Sequence, residues 1–290
     1  MPDIAFRQYD PRVLERLQRA ELEVLAAFDE ICRMLDLRYF VHYGALLGAI
    51  RHKGPIPWDD DIDVAIPRED FTAFVAYCDA HPELPFGYMD PAHRADCTKT
   101  VPIFYKKGTV FAEDDLGWQP GISIDLFPFD HLPEDERARR HELKRAIFQR
   151  RLMYLSNRDP RIPLSGAKYY AAKALCKIAR AGLVLFRING ADLFKRFDRR
   201  NIACNERNIG SSFVTSFYSS NPEGSVIDSS QFEVIDIPYL NTVVRGPKDP
   251  DAVLSHHYGN YMELPPENQR VNHCPMHLDF GDGEGDVLNR

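Results

Sequence analysis

The chain has 290 residues, 44% of them hydrophobic, and a net charge of −7 with a pI of about 5.8, ordinary for one large packed domain or two smaller ones. Its Lys and Arg are numerous but dispersed, which excludes a nucleic-acid footprint and leaves room for a local basic patch toward an anionic ligand. The opening MPDIAFRQYD lacks the apolar core of a signal peptide and no run of about eighteen apolar residues occurs, so no transmembrane segment and a cytoplasmic location are expected.

Six cysteines are scattered, none closer together than Cys78 and Cys97. That spacing rules out C-x-x-C zinc or redox motifs and favours free, mostly buried thiols. From Pro11 to Leu37, Leu14, Leu17, Val24, Phe28, Ile31 and Leu35 recur at steps of three and four, which predicts an amphipathic helix lying on the core. Tyr39 to Tyr43 reads as a short strand that Gly44 breaks, and Ala45 to Arg51 is apolar enough to open a buried helix. A strand, a glycine and a helix N-terminus offer free backbone N–H groups and a positive dipole end to a phosphate. Arg51 and Lys53 add side-chain donors suited to a diphosphate.

The next stretch carries the chemistry. After Trp58, the carboxylates Asp59, Asp61 and Asp63 alternate, with apolar Ile62, Val64 and Ile66 at the complementary phase. In a strand, that period of two places the three carboxylates on one face. Same-face neighbours about 7 Å apart repel by about 2 kcal/mol at an effective dielectric near 20, so the pattern calls for a cation. Hard oxygen ligands on a strand suit Mg²⁺ or Mn²⁺, ions that complete their shells with phosphate and water, so a phosphate ester is the implied substrate. A calcium loop fails on two counts: Val64 stands where the loop needs glycine, and Asp70 stands where it needs glutamate.

Pro67 followed by Arg68, Glu69 and Asp70 starts a helix buried through Phe71, Phe74, Val75 and Cys78 and ended by His81-Pro82. Between Phe86 and Phe129 the runs FGYM, VPIFYKK, TVFAE and GISIDLFPF are strand-like, with a hairpin expected at Gly108. Asp125 stands alone inside the last of these, as a turn or edge residue or as a functional carboxylate. The lid-like EDDLGWQPG carries Trp118 together with Glu113, Asp114 and Asp115.

From Pro133 to about Arg207 the chain reads helical, with an Arg-rich run through Arg137, Arg139, Arg140, Arg145, Arg150 and Arg151 and an apolar segment studded with Lys and Arg from Lys168 to Arg187. Both read as solvated faces; the alternative is docking of a polyanionic acceptor or peripheral contact with a membrane surface. Short strands are expected around Phe213 to Phe217, Phe232 to Ile235 and Thr242 to Arg245, then a helix over Pro250 to Tyr258 ended by Gly259. His256, His257, His273 and His277 are read as satisfied or exposed, because Pro275 forbids a helix aligning His273 with His277. The terminal FGDGEGDVLNR reads as a frayed tail.

Residues 43–70, YGALLGAIRHKGPIPWDDDIDVAIPRED, resemble the signature of the LicD family, more loosely continued by ISIDLFPFDHLP and PKDPDAVLSHHYGNYMELPP. The resemblance implies an α/β, mixed-sheet fold with a nucleotidyltransferase-like catalytic core over 1–132, a helical insertion over 133–210 and a C-terminal segment over 211–290. It implies transfer of phosphocholine from a CDP-linked donor, CDP-choline, to the hydroxyl of a glycan acceptor, a cell-surface polysaccharide or its lipid-linked precursor. Asp125 becomes the third carboxylate, so that Asp61, Asp63 and Asp125 hold the metals and Asp59 ligates or orients. One ion would bridge the donor phosphates and the other activate the hydroxyl, whose proton Asp125 takes. A choline headgroup needs an aromatic cage, for which Trp58 and Trp118 are the candidates, with Tyr105 or Tyr43. Transfer of glycerol phosphate or ribitol phosphate and a non-catalytic nucleotide-binding regulator are the alternatives.

Overall fold

Helix α1 (Pro11–Met34) begins where Asp10 caps it, accepting from the Arg12 N–H at 2.8 Å, and Pro11 supplies a preformed first turn. The computed structural model containing it describes residues 9–113, 115, 117–157 and 165–288. The buried side of α1, including Leu17, Val24 and Phe28, lies on a mixed sheet, as the spacing predicts.

The sheet has the order β1 (Phe40–His42), β2 (Asp63–Pro67), β6 (Ser123–His131), β4 (Ile103–Lys106), β3 (Phe86–Met89). Strands β2 and β6 run parallel, and their other partners antiparallel. Between β1 and β2 come α2 (Tyr43–Leu47) and a π-helical turn (Gly48–His52); α3 (Arg68–Ala80) follows β2. The fold class is thus α/β with a mixed sheet.

Period-two alternation divides the core. Val64, Ile66, Ile124 and Leu126 face α1 and α3, joining Phe28, Phe74 and Phe104. Ala65, Phe127 and Phe129 face the opposite way. There they meet α4 (Glu136–Asn157) through Leu143, Ala146 and Met153, and α6 (Gly190–Arg207) through Phe194 and Phe197. Asp63 and Asp125 share the phase of Ala65 and Phe127, which places them on this second face. Helix α5 (Gly166–Leu185) packs on α4.

Arg68 ties α3 to β6 and α6. Its Nε and Nη2 donate to the two carboxylate oxygens of buried Asp130 at 2.7 and 2.8 Å, and its Nη1 to Asp198 on α6 at 2.9 Å. Beyond Asp130, β6 pairs with β7 (Phe213–Thr215), which pairs with β8 (Ile227–Asp228). A hairpin of β9 (Ile235–Tyr239) and β10 (Thr242–Gly246) adds Ile237, Tyr239 and Val244 to the first core. Helix α7 (Pro250–Tyr258) ends at Gly259, whose φ is +64°, as expected.

Three expectations are corrected. Gly108 does turn the chain with φ +79°, but no hairpin forms: β4 joins the main sheet, while β5 (Val110–Ala112) pairs with β11 (His277–Asp279). The C-terminal residues through Leu288 are tied down rather than frayed. Leu278 is fully buried, the Val287 N–H donates to its carbonyl at 2.9 Å, and Asp282 and Glu284 pair with Arg16. Positive φ at Gly281, Gly283 and Gly285 lets this segment curl back. Third, the Arg-rich run is not wholly solvated, since the Nε of Arg150 is buried.

Candidate active site

The acidic segment is an extended lead-in to β2 whose backbone is held by α1: Gln18 Nε2 donates to the carbonyls of Ile56 at 3.1 Å and Asp59 at 2.8 Å. Alternation is retained before the ladder begins. Asp60 and Ile62 are buried, whereas Asp59, Asp61 and Asp63 keep partial exposure. Asp60 is a structural carboxylate that accepts from the Tyr9 hydroxyl at 2.7 Å and from the His273 N–H at 2.8 and 3.0 Å. Asp63 pairs in register with Asp125 across the parallel strands β2 and β6, so the lone carboxylate of GISIDLFPF stands beside the alternating set.

These carboxyls disfavour their own ionisation. Removal from water, then the charges of Asp61, Asp125 and Asp59, push Asp63 well up. Removal from water and its neighbours Asp61 and Asp60 raise Asp59 to about 8. Asp125 rises to about 6 through burial, with Lys99 pulling the other way. Glu21, buried on α1, is also raised by burial and then by Asp61, Asp60, Asp59 and Asp125.

A cavity of about 360 Å³ opens beside them, lined by Asp61, Asp63 and Asp125, by Tyr43, Phe127 and Tyr258, and by the 219–225 loop with His257. Tyr43 has a φ of +41°, a conformation that a bulky side chain adopts only when its surroundings impose it. Its hydroxyl sits 2.8 Å from Ser219 Oγ and 2.5 Å from Ser225 Oγ, so the serine loop fixes it. His257 Nε2 and, on α4 near Tyr43, Arg150 Nε are buried without a hydrogen-bond partner among the described residues. Burial holds the His257 imidazole down to about 4 and the Arg150 guanidinium down to about 10. Two smaller cavities, about 140 and 190 Å³, also reach Asp125; both are lined by Lys99 and Glu113, one by Tyr154 and the other by Glu21 and His273.

Sequence reasoning gathered other residues that the structure places apart. Gly44 lies against Asp59, where a Cβ would stand 2.4 Å from Oδ2; the glycine makes room for a carboxylate. Arg51 is spent on backbone, donating to the carbonyls of Tyr261 at 2.8 Å and Glu263 at 3.3 Å. Lys53 is exposed, with φ +57° at the end of the π-helical turn. Neither lines the acidic cavity. Trp58 borders a separate cavity of about 570 Å³, with the Arg270 guanidinium 4.8 Å over its ring. Trp118 meets Tyr105 edge-on and has Arg94 at 5.9 Å. Asp114 lies outside the described residues. The aromatic lining beside the carboxylates is instead Tyr43, Phe127 and Tyr258.

Glu21, Lys99 and the serine loop escape motif reading, and His257, read from the sequence as satisfied or exposed, lines the cavity. Lys99 forms an ion pair with Glu113 at 2.9 Å in a stretch without periodicity, and only the DLFPF and SHHY motifs hint at the cavity wall. Among the described residues no three His, Cys, Asp or Glu side chains form a ready-made metal cage. What could hold a cation is the oxygen set of Asp61, Asp63 and Asp125, the kind of partial shell that Mg²⁺ and Mn²⁺ accept when phosphate and water complete it.

Residues 36–154 match the family described as LicD/FKTN/FKRP, nucleotidyltransferase domain, a span that contains the acidic segment and Asp125. Over 272 residues the chain is 24% identical to the lipopolysaccharide cholinephosphotransferase LicD of Haemophilus influenzae, covering 90% of this chain and 95% of that protein. An uncharacterized protein of Rickettsia typhi is 33% identical over 139 residues, 47% of this chain and 42% of that protein. An uncharacterized protein of Rickettsia prowazekii is 46% identical over 41 residues, 14% of this chain and 15% of that one.

Proposed function

We propose that the chain, whose residues 36–154 match the LicD family, is a phosphotransferase that moves phosphocholine from CDP-choline to a hydroxyl of a glycan, releasing CMP. One observation carries the reading: the Asp63–Asp125 pair opens onto a cavity whose remaining lining is aromatic and rich in hydroxyls. Carboxylates beside aromatic faces suit a ligand that joins a phosphate to a quaternary ammonium. The naming of the H. influenzae relative as a lipopolysaccharide cholinephosphotransferase supports this choice of group and a glycan of the cell surface, or its lipid-linked precursor, as acceptor.

Asp61, Asp63 and Asp125 would hold Mg²⁺ or Mn²⁺, with Asp59 orienting Asp61. When bound, the cation offsets charge on the donor diphosphate and on the departing CMP. Asp125, the carboxylate brought in by β6 beside Asp63, takes the acceptor proton. Tyr43, Phe127 and Tyr258 hold the trimethylammonium group by their π faces. Lys99 tempers the negative potential that would otherwise repel an anionic donor.

The test is donor hydrolysis. Incubated with CDP-choline, CDP-glycerol or CDP-ribitol, each with Mg²⁺ or EDTA, the protein is expected to release CMP from CDP-choline in the Mg²⁺ arm. Release confined to CDP-glycerol or CDP-ribitol would move the proposal to that group, and nucleotide binding without metal-dependent release under any acceptor would point to a regulator.

A further inference from the structure

Helix α5 turns an apolar face to solvent. Tyr170, Leu175, Ile178, Val184, Leu185 and the adjoining Phe186 each leave between 68% and 77% of their surface exposed. Single exposed apolar residues are ordinary, but a cluster of this size on one helix marks a contact surface. The face is continuous: Tyr170, Ala174, Ile178, Ala181 and Leu185 follow the spacing i, i+4, i+8, i+11, i+15 of one helix side. On the other side, Ala172, Cys176, Ala179 and Leu183 are half-buried, and it is there that α5 packs on α4.

Charge identifies the occupant. Between Ser165 and Gly190 the sequence has Lys168, Lys173, Lys177, Arg180 and Arg187 and no Asp or Glu, in a chain whose net charge is −7. We propose that α5 is an interfacial helix that seats the enzyme on an anionic lipid bilayer. Such a surface supplies the two things this face lacks: an apolar phase for the stripe and negative headgroups for the flanking cations. A second copy of the chain would bring like charge to like charge across a two-fold interface. Among the described residues no helix is long and apolar enough to cross a membrane, so α5 lies in the plane of the interface. Helix α4, on which it packs, brings Tyr154 to the cavity beside Asp125, so one helix pair links the docking face to the catalytic cleft. The inference goes beyond the proposed reaction and holds whichever group is transferred.

The test is co-sedimentation of the full chain with vesicles of phosphatidylcholine alone or with about one-third phosphatidylglycerol. The protein is expected to partition at least about tenfold more onto the anionic vesicles, and to release as salt rises from about 0.05 to about 0.5 M. Combining Leu175→Ser, Ile178→Ser and Leu185→Ser should cut that partition at least about tenfold, and K173Q with K177Q should also weaken it, with helix content and CMP release from soluble donor unchanged. Equal partition onto both vesicle types, or absence of binding, would overturn the proposal. So would binding indifferent to the serine substitutions, or a lipid-free dimer that those substitutions dissolve.

Discussion

Asp63 and Asp125 occupy facing positions in the parallel pairing of β2 with β6. Facing residues in adjacent strands are about 5 Å apart and project to the same side, so two carboxylates from distant parts of the chain meet on one wall of a cavity. Val64, Leu126 and their neighbours, buried on the opposite face, fix the register that keeps them there.

That pairing sets function against stability. Asp63→Asn or Asp125→Asn is expected to lower turnover at least about a hundredfold, the loss of a group that stabilises developing charge being worth roughly 3–4 kcal/mol. The same substitutions relieve repulsion in metal-free protein and are expected to raise its melting temperature by a few degrees. Kinetics and calorimetry on the same samples check both halves; a variant that melts lower and turns over normally would contradict them.

The raised carboxyls also predict a pH dependence with a definite sign. Asp59, Asp61, Asp63, Asp125 and Glu21 all have folded pKa values above their ordinary range, so the native state holds more protons than the unfolded one. Metal-free stability then falls as pH rises from the ordinary carboxylate range near 4 through about 6 for Asp125 and about 8 for Asp59. Added Mg²⁺ should raise the melting temperature more at about pH 8 than at about pH 5.5, and Asp63→Asn should flatten the difference. Equal increments at both pH values would count against a shared cation.

The Arg68–Asp130 clamp is structural. Both side chains are almost wholly buried, so Asp130→Ala leaves Nε and Nη2 of Arg68 without their acceptor and only Asp198 as its carboxylate partner, and should cost about 3 kcal/mol in urea denaturation. Turnover per folded molecule should stay near wild type at low denaturant. A loss below about 1 kcal/mol would mean that water reaches Arg68.

Tyr258, which keeps 42% of its surface exposed, can be truncated without opening the core. Tyr258→Ala should raise KM for CDP-choline about tenfold, matching the loss of one desolvated cation–π contact, and leave CDP-glycerol unaffected. Trp58→Ala should change neither, since Arg270 already covers that ring. The opposite pattern would return the cage to Trp58.

The carboxylate set was legible because strand alternation is a local signal: Asp59, Asp61 and Asp63 announce their shared face, and a lone Asp125 in an apolar run announces itself by its cost. Helices α1, α3 and α7 were legible for the same reason, through spacing, caps and Gly259. What escaped depends on long-range pairing. Nothing in TVFAE says that β5 pairs with the far C-terminus rather than with β4, and that pairing is what turns an expected frayed tail into a packed segment. Arg51 looked like a phosphate donor because its partners, the carbonyls of Tyr261 and Glu263, lie more than two hundred residues away. Nothing in the apolar spacing of α1 marks Glu21, yet the helix lays it against the acidic cluster.

The most direct measurement is a crystal structure with CDP-choline and Mn²⁺, with data collected at the manganese edge. An anomalous peak is expected between Asp63 and Asp125, with the diphosphate beside it and the choline against Tyr43, Phe127 and Tyr258. A donor seated beside Trp58 and Arg270, or held by Arg51 and Lys53 with no anomalous peak at the carboxylates, would contradict that arrangement.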